Sequence, residues 1–275
     1  MVDDLRGKRF ASTAGVWRVR SNGESRVLKQ IALGAGNTPT WPSEPEETSP
    51  HYWRREALVY EHGLPAPAPF RLPACETFER DDGSIALWLE DAGEPPGGDV
   101  PAIATRVAAM PRLDDGPAWL ARPWLRRYLE LRAHRIDPEL PAWRAREEIL
   151  ARIDAAATVL VHNDFHPGNV FPRDGDMVVV DWAFCGLGPV GGDAGILAAD
   201  ALYDGAVAAD DPERFLVSVW EAYAAQLEPA LVEDAEYVFF AGNALRYAWS
   251  PGFGEHFASV YRAVSGAAAR LPSFP

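Results

Sequence analysis

Lysine is almost absent from this sequence. Of 26 basic residues only two, Lys8 and Lys29, are lysines. Cysteine is equally scarce, and Cys75 and Cys185 alone provide no disulfide framework. No apolar run approaches the ~20 residues needed to cross a bilayer. The first residues, Met1-Val2-Asp3-Asp4, lack the basic patch and apolar stretch of a signal peptide, so the cytoplasm is the expected location. Positive charge is also short overall. Against the 26 basic residues stand 40 acidic ones, a net charge of −14. A surface this acidic repels phosphate backbones and anionic lipid, which argues against nucleic-acid or membrane-surface partners. No obligate protein partner is evident either. A nucleotide is still admissible, because one local basic group plus a metal can hold a triphosphate. Acidity favours cationic small molecules, and it equally serves solubility.

What is present suffices for a large core: 275 residues, 48% of them apolar. The first ninety residues read mostly as strands, near 8–12, 16–20 and 26–31, then near 70–79 and 84–90. Ser21-Asn22-Gly23-Glu24 is a hairpin turn signal. The Pro-rich polar stretch 34–50 reads as a linker or mobile loop, followed by a helix over 51–62 that ends at Gly63 and Pro65. A Gly/Pro-rich break at 91–101 marks a boundary between an N-terminal lobe, 1–90, and a C-terminal lobe, 91–275. Helical periodicity dominates beyond it, near 102–110, 117–135, 141–157, 193–203, 212–227, 229–248 and 254–270. The expected class is α+β, with a small antiparallel β lobe carrying one helix and a larger, mainly helical lobe.

The exception within the helical part is 158–181. The apolar run Val159-Leu160-Val161 opens into a polar loop, His162-Asn163-Asp164-Phe165-His166-Pro167-Gly168-Asn169. Farther on, Met177-Val178-Val179-Val180 ends at Asp181-Trp182, and Arg173-Asp174-Gly175-Asp176 joins the halves as a hairpin. Asn169 and Asp181 each lie six positions from Gly175, so pairing sets them at nearly the same level. Two carboxylates and an amide oxygen suit a hard cation such as magnesium. Asp181 and Asn169 serve as its ligands, and Asp164 is left to accept a proton from an attacking hydroxyl. That division of labour is the one phosphoryl transfer needs.

The pattern His162-x-Asp164-x-x-x-x-Asn169, followed by Asp181-Trp182, resembles the aminoglycoside phosphotransferase and choline kinase family, whose fold is protein-kinase-like. The resemblance implies a two-lobed fold with ATP, or GTP, as phosphoryl donor. It makes Asp164 the catalytic base, Asn169 and Asp181 the metal ligands, and His162 a structural member of the catalytic loop. Val27-Leu28-Lys29-Gln30-Ile31 has the pattern of the strand that carries the family's phosphate-binding lysine. Glu56 is its expected partner, with Glu61 as competitor. Ala11-Ser12-Thr13-Ala14-Gly15-Val16 would cover the phosphates with Ser12 and Thr13. Backbone groups around Leu89, Glu90 and Ala92 would meet the base. Asp193 reads as a helix N-cap, although in the family the matching aspartate also braces the catalytic loop.

Ala183 stands where many family members carry an acidic residue, and the pair Trp182-Ala183 argues against a protein kinase. His162 and His166 flank Asp164 in a loop and do not read as a zinc site. His166 is expected to shape that loop. Trp119, Trp124 and Trp143 are candidates for a sugar-binding face. The acceptor is not named by the sequence, and an aminoglycoside-like antibiotic, choline, a sugar or an amino alcohol all fit. A reading of another class is an inactive nucleotide-binding pseudokinase. From Asp174 to Glu213 there is no Lys or Arg, while nine acidic residues occur. Two of them, Asp200 and Asp204, fall on one helix face and are candidates for holding a cationic acceptor.

Overall fold

A computed structural model of the chain describes residues 1–5, 11–94, 99–122, 124–173, 175–208, 210–272 and 274. Lys8, Asp174 and the central part of the 91–101 break lie outside the described residues.

The N-terminal part is a five-stranded antiparallel sheet, β1 (Val2–Asp4), β2 (Ala11–Ser21), β3 (Glu24–Gly36), β4 (Cys75–Glu79) and β5 (Ile85–Glu90), in the order β1-β2-β3-β5-β4. Asn22 and Gly23 close the β2–β3 hairpin with φ of 53° and 82°, the left-handed pair that a two-residue turn matching the strand twist requires. The helix α1 (Arg55–His62) lies against this sheet. Ile85, Leu87 and Leu89, alternate residues of β5, meet Ile31 and Ala57 in a small core.

The remainder is mainly helical: α2 (Val100–Val107), α3 (Trp124–Glu130), α4 (Pro141–Arg144) and α5 (Arg146–Ala155) come first. Two short ribbons follow, one pairing β6 (Thr158–Val161) with β9 (Gly186–Pro189), the other pairing β7 (Val170–Arg173) with β8 (Asp176–Val179). Then come α6 (Gly192–Tyr203), α7 (Pro212–Ala224), α8 (Val232–Tyr237), α9 (Asn243–Arg246) and α10 (Glu255–Ala268). Apolar on almost every side, α6 is the buried axis of the lobe. Among the described residues no helix is long and apolar enough to cross a membrane.

Several expectations are corrected. Of the strand expected near 8–12, residues 8–10 lie outside the described residues, while Ala11 and Ser12 belong with 16–20 to one strand, β2, whose pairing is irregular between Ala11 and Gly15. The expected helix over 51–62 begins only at Arg55. Helix is confined to Trp124–Glu130 and a short 3-10 turn within 117–135. The stretch 34–50 is not a free linker. Strand β3 runs to Gly36, and the following residues fold onto the helical lobe, where Trp41 meets Tyr128 and Phe184 at 6.0 and 5.5 Å. Ser43 anchors the fold-back, its hydroxyl accepting from Gly34 N and its own N–H donating to Asn37 Oδ1, both at 2.6 Å. Seating one tryptophan outweighs the polar composition around it.

Candidate active site

The cleft between sheet and helices holds two adjoining cavities that share Asp181. One, of about 300 Å³, is lined by Lys29, Glu56, Leu89, Glu90, Ala92, Asn169 and Asp181, among others. The other, of about 200 Å³, is lined by Ser12, Thr13, Trp41, Asp164, Asp181 and Phe184, among others.

Lys29 sits on β3 between two carboxylates. Its Nζ is 2.5 Å from Glu56 Oε2 and 2.8 Å from Asp181 Oδ1. Glu56 is buried on α1, while the competing Glu61 is exposed one turn later. Asp181 holds a left-handed backbone, φ 64°, at the point where the chain leaves β8 for a tight 3-10 turn. A non-glycine residue kept in that conformation carries strain of the kind that collects at functional sites.

The hairpin register differs by one from the expectation. Val170 pairs with Val179, so Asn169 opposes Val180, whose N–H it accepts at 3.1 Å, and Asp181 lies one step beyond. The shift is set at the turn, because Arg173 pairs with Asp176 and the hairpin is therefore centred half a residue before Gly175. Both side chains nevertheless border the same cavity. Asn169 Nδ2 donates to Asp164 O at 3.0 Å, and this orients the amide so that Oδ1 is its remaining polar atom. One carboxylate and one amide oxygen fit a magnesium ion that keeps waters and takes phosphate oxygens as its other ligands.

The catalytic-loop residues are held from behind. His162, wholly buried, bonds Val180 O through Nε2 at 2.9 Å and accepts Asp164 N–H on Nδ1 at 3.3 Å. One tautomer therefore ties the residue after β8 to Asp164, the residue expected to be the base. His166 accepts Gly168 N–H at 3.2 Å and caps the 3-10 turn, which is the loop-shaping part expected of it. Burial raises the Asp164 carboxyl above its usual range; nearby His166 pulls it back, and the charge of Asp181 raises it further.

Asp193 is not a helix N-cap. Gly191 occupies that position and α6 lacks a side-chain cap. The Asp193 carboxylate instead accepts His162 N–H at 2.6 Å and Asn163 N–H at 2.9 Å, bracing the loop. Burial pushes its carboxyl up to about 6, against the pull of those two amides.

Ser12 and Thr13 reach the second cavity from the irregular part of β2, not from a free loop. Leu89 pairs with Val27 on one side and Cys75 on the other, so it lies within the sheet, and the residue borders the first cavity. Glu90 is held by Arg71 at 2.6 and 3.0 Å. Asp200 accepts the Tyr247 hydroxyl at 2.5 Å and lies within the field of Arg246, so it is not an unpaired charge. Asp204 follows the end of α6; it is exposed, and its carboxylate is 3.7 Å from His166 Nδ1. Trp119 and Trp124 are core residues, and Trp143 is partly buried against the core of the helical lobe.

Arg55 was not singled out by the sequence. Fully buried on α1, it donates to Trp119 O, Pro50 O, Ala183 O and Ser49 O, at 2.5 to 3.0 Å. It thus ties the helix of Glu56 to the segment just after Asp181. Nothing in the pair Arg54-Arg55 marks which one turns inward; Arg54 is half-buried and pairs with Glu79.

The sequence profile described as the phosphotransferase enzyme family, APH, matches residues 8–233. Among curated proteins none matches the chain. Solved structures share its fold at low identity. An amicoumacin kinase in complex with AMP-PNP and Ca2+ is 15% identical, with a TM-score of 0.56, covering 100% of this chain and 90% of its own. An aminoglycoside phosphotransferase in ternary complex with AMP-PNP and hygromycin B is 13% identical, with a TM-score of 0.55, covering 98% and 93%. A choline kinase from Cryptosporidium parvum is 10% identical, with a TM-score of 0.62, covering 98% and 89%.

Proposed function

The chain belongs to the APH phosphotransferase enzyme family, a small-molecule kinase with an alcohol group as acceptor, and from that premise we propose how its own residues divide the reaction. ATP, or GTP, lies in the larger cavity with its base toward Leu89–Ala92. Lys29, held by Glu56, takes the α- and β-phosphates. Ser12 and Thr13 cover the transferred phosphoryl group. Asp181 and Asn169 hold magnesium, which supplies neutralisation of the triphosphate charge when bound. Asp164 accepts the proton of the acceptor hydroxyl as that oxygen attacks the γ-phosphorus, and the bond from that phosphorus to the β–γ bridging oxygen breaks to release the nucleoside diphosphate.

The observation that carries this reading is the sharing of Asp181. It borders the cavity of Lys29 and Asn169 and also that of Asp164, Ser12 and Thr13. A phosphoryl group leaving the first cavity therefore meets the base in the second. Asp164→Asn keeps the shape and removes the proton acceptor, so turnover should fall ~10²–10⁴-fold with nucleotide binding nearly intact. A variant that kept most of its activity would remove Asp164 from this role.

For the acceptor we favour a small cationic alcohol, of the aminoglycoside or amino-alcohol type. Both Asp200 and Asp164 lie in one acidic field that also includes Asp204. The amicoumacin, aminoglycoside and choline kinases that share the fold are consistent with that class. An antibiotic-inactivating and a metabolic kinase are separated by a turnover screen over aminoglycosides, choline-like amines, amino alcohols and sugars with both nucleotides. Absence of nucleotide turnover throughout would favour the pseudokinase reading.

A further inference from the structure

By charge, Arg55 stands on the wrong end of its helix. It is the first residue of α1, where the helix dipole favours acidic side chains, and that helix start has no side-chain cap. It is also fully buried, where a cation is tolerated only with its donors satisfied. Its four partners are backbone carbonyls. Nε donates to Trp119 O at 2.5 Å, Nη1 to Pro50 O at 2.9 Å and to Ala183 O at 3.0 Å, and Nη2 to Ser49 O at 2.5 Å. Acceptors met by all three nitrogens use the rigid fork of a guanidinium, which an ammonium on a flexible stem does not reproduce.

Ser49 and Pro50 precede α1, whereas Trp119 and Ala183 belong to the helical lobe. There the two chain segments run side by side. Ala121 N donates to Cys185 O at 3.0 Å, and Leu187 N donates to Ala121 O at 3.2 Å. They approach so closely that a Cβ on Gly186 would lie 2.5 Å from Ala121 O. Arg55 thus fastens α1 to a tightly packed platform two residues beyond Asp181. Its neighbour Glu56 meets Lys29, and Lys29 meets Asp181. Residues 55 and 56 therefore join α1 to the segment 181–183 by two routes. The Lys29 route is temporary, because an ammonium that turns to a phosphate lets go of Asp181. The Arg55 route involves no nucleotide ligand and persists. Segment 182–192 contains no Ser, Thr or Tyr, so no phosphate on it can order α1 in the way that added phosphates order loops.

We propose that Arg55 is a positioning residue for phosphoryl transfer: it keeps Glu56, and through it Lys29, at the phosphates once Lys29 has left Asp181 to the metal. The inference rests on the phosphotransfer reading above and adds to it a residue that borders neither cavity. On this reading ATP with magnesium depends on Arg55 through Lys29. Adenosine takes the base end of the larger cavity and does not meet Lys29.

These two ligands separate positioning from general damage. In calorimetric titrations of the full chain, Arg55→Met should bind ATP with magnesium ~10–100-fold more weakly, the range seen when a group that orients a ligating side chain is removed. Its adenosine affinity should stay within about threefold of wild type. Arg55→Lys, which keeps the charge and loses the fork, should fall between the two for ATP. In a Lys29→Met background, Arg55→Met should change ATP affinity by less than about threefold, because its effect passes through Lys29. Equal weakening for adenosine and ATP, full additivity with Lys29→Met, or unchanged ATP affinity in Arg55→Met overturns the proposal. Where Arg55→Met does not fold, hydrogen exchange on the wild type decides. The α1 amides should be as protected with ATP and magnesium as without them, and faster exchange in the complex overturns the latch. Magnesium-dependent ATP binding by the wild type, lost in Asp181→Ala, tests the phosphotransfer reading separately.

Discussion

Lys29 and Asp181 lie 152 positions apart in the chain, yet Nζ and Oδ1 are 2.8 Å apart across the cleft. The same ammonium meets Glu56 at 2.5 Å. One cation between two carboxylates leaves negative charge in excess, an arrangement ready to accept a metal-bound nucleotide. In that complex Lys29 would exchange Asp181 for phosphate and keep Glu56. Lys29→Met should therefore weaken ATP binding in magnesium by ~10–100-fold, the range of one charged hydrogen bond. Calorimetric titration measures it, and an affinity within about threefold of wild type would place the phosphates elsewhere.

How much of this was legible in the sequence depends on how far each interaction reaches along the chain. His162, Asp164 and Asn169 fall within one loop, and the spacing of their residue types announced the site. Lys29 stood out because lysine is otherwise nearly missing. The Asp193 brace spans 31 positions to His162, and a helix-start aspartate looks the same with or without it. Arg246 reaches Asn163 over 83 positions from a helix with no signature. The fold-back after Gly36 was hidden by its prolines, since composition does not reveal that Trp41 has a seat on Tyr128 and Phe184. Local spacing reports chemistry; the supports behind it are long-range contacts.

Asp164, as the proposed base, should carry its environment into the pH profile. Asp164 must be ionised to accept a proton, and burial raises its carboxyl. The acidic limb of kcat should then inflect above the ordinary aspartate value of ~3.9. Asp200 adds to the upward push, so Asp200→Asn should move the limb to lower pH. A limb at the ordinary value, unmoved by Asp200→Asn, would show that another group titrates.

Asp193 should leave a signature in stability. Its folded carboxyl is raised to about 6 from 3.8, so the folded state holds a proton that the unfolded chain releases between those values. Its contribution is fully present below about pH 4 and is lost as pH rises to about 6. Asp193→Asn should flatten that part of the curve relative to wild type. The variant also turns one amide NH2 toward a backbone N–H in place of a carboxylate oxygen, at a cost of about 1–3 kcal/mol. Denaturant melts of both proteins at pH 4, 5, 6 and 7 measure the difference, and parallel curves would exclude the role.

The acidic pair on α6 yields the last test. Asp204 follows Asp200 by one helical turn, and its N–H donates to Asp200 O at 2.9 Å, so both side chains share a face. Tyr247 holds one oxygen of Asp200, which fixes that carboxylate in place. Asp204 is exposed and open to solvent screening. If the pair holds the ammonium of the acceptor, Asp200→Asn should raise the acceptor KM more than Asp204→Asn does, with the KM for ATP nearly unchanged. The Asp204 share should fade as salt rises, while the Asp200 share should persist, because a fixed and partly buried charge is screened less. Steady-state kinetics of the wild type and the two variants at low and high salt separate the two contributions. A preferred acceptor that lacks any amine would remove both aspartates from substrate recognition, and would leave Asp164, Asn169 and Asp181 in their proposed places.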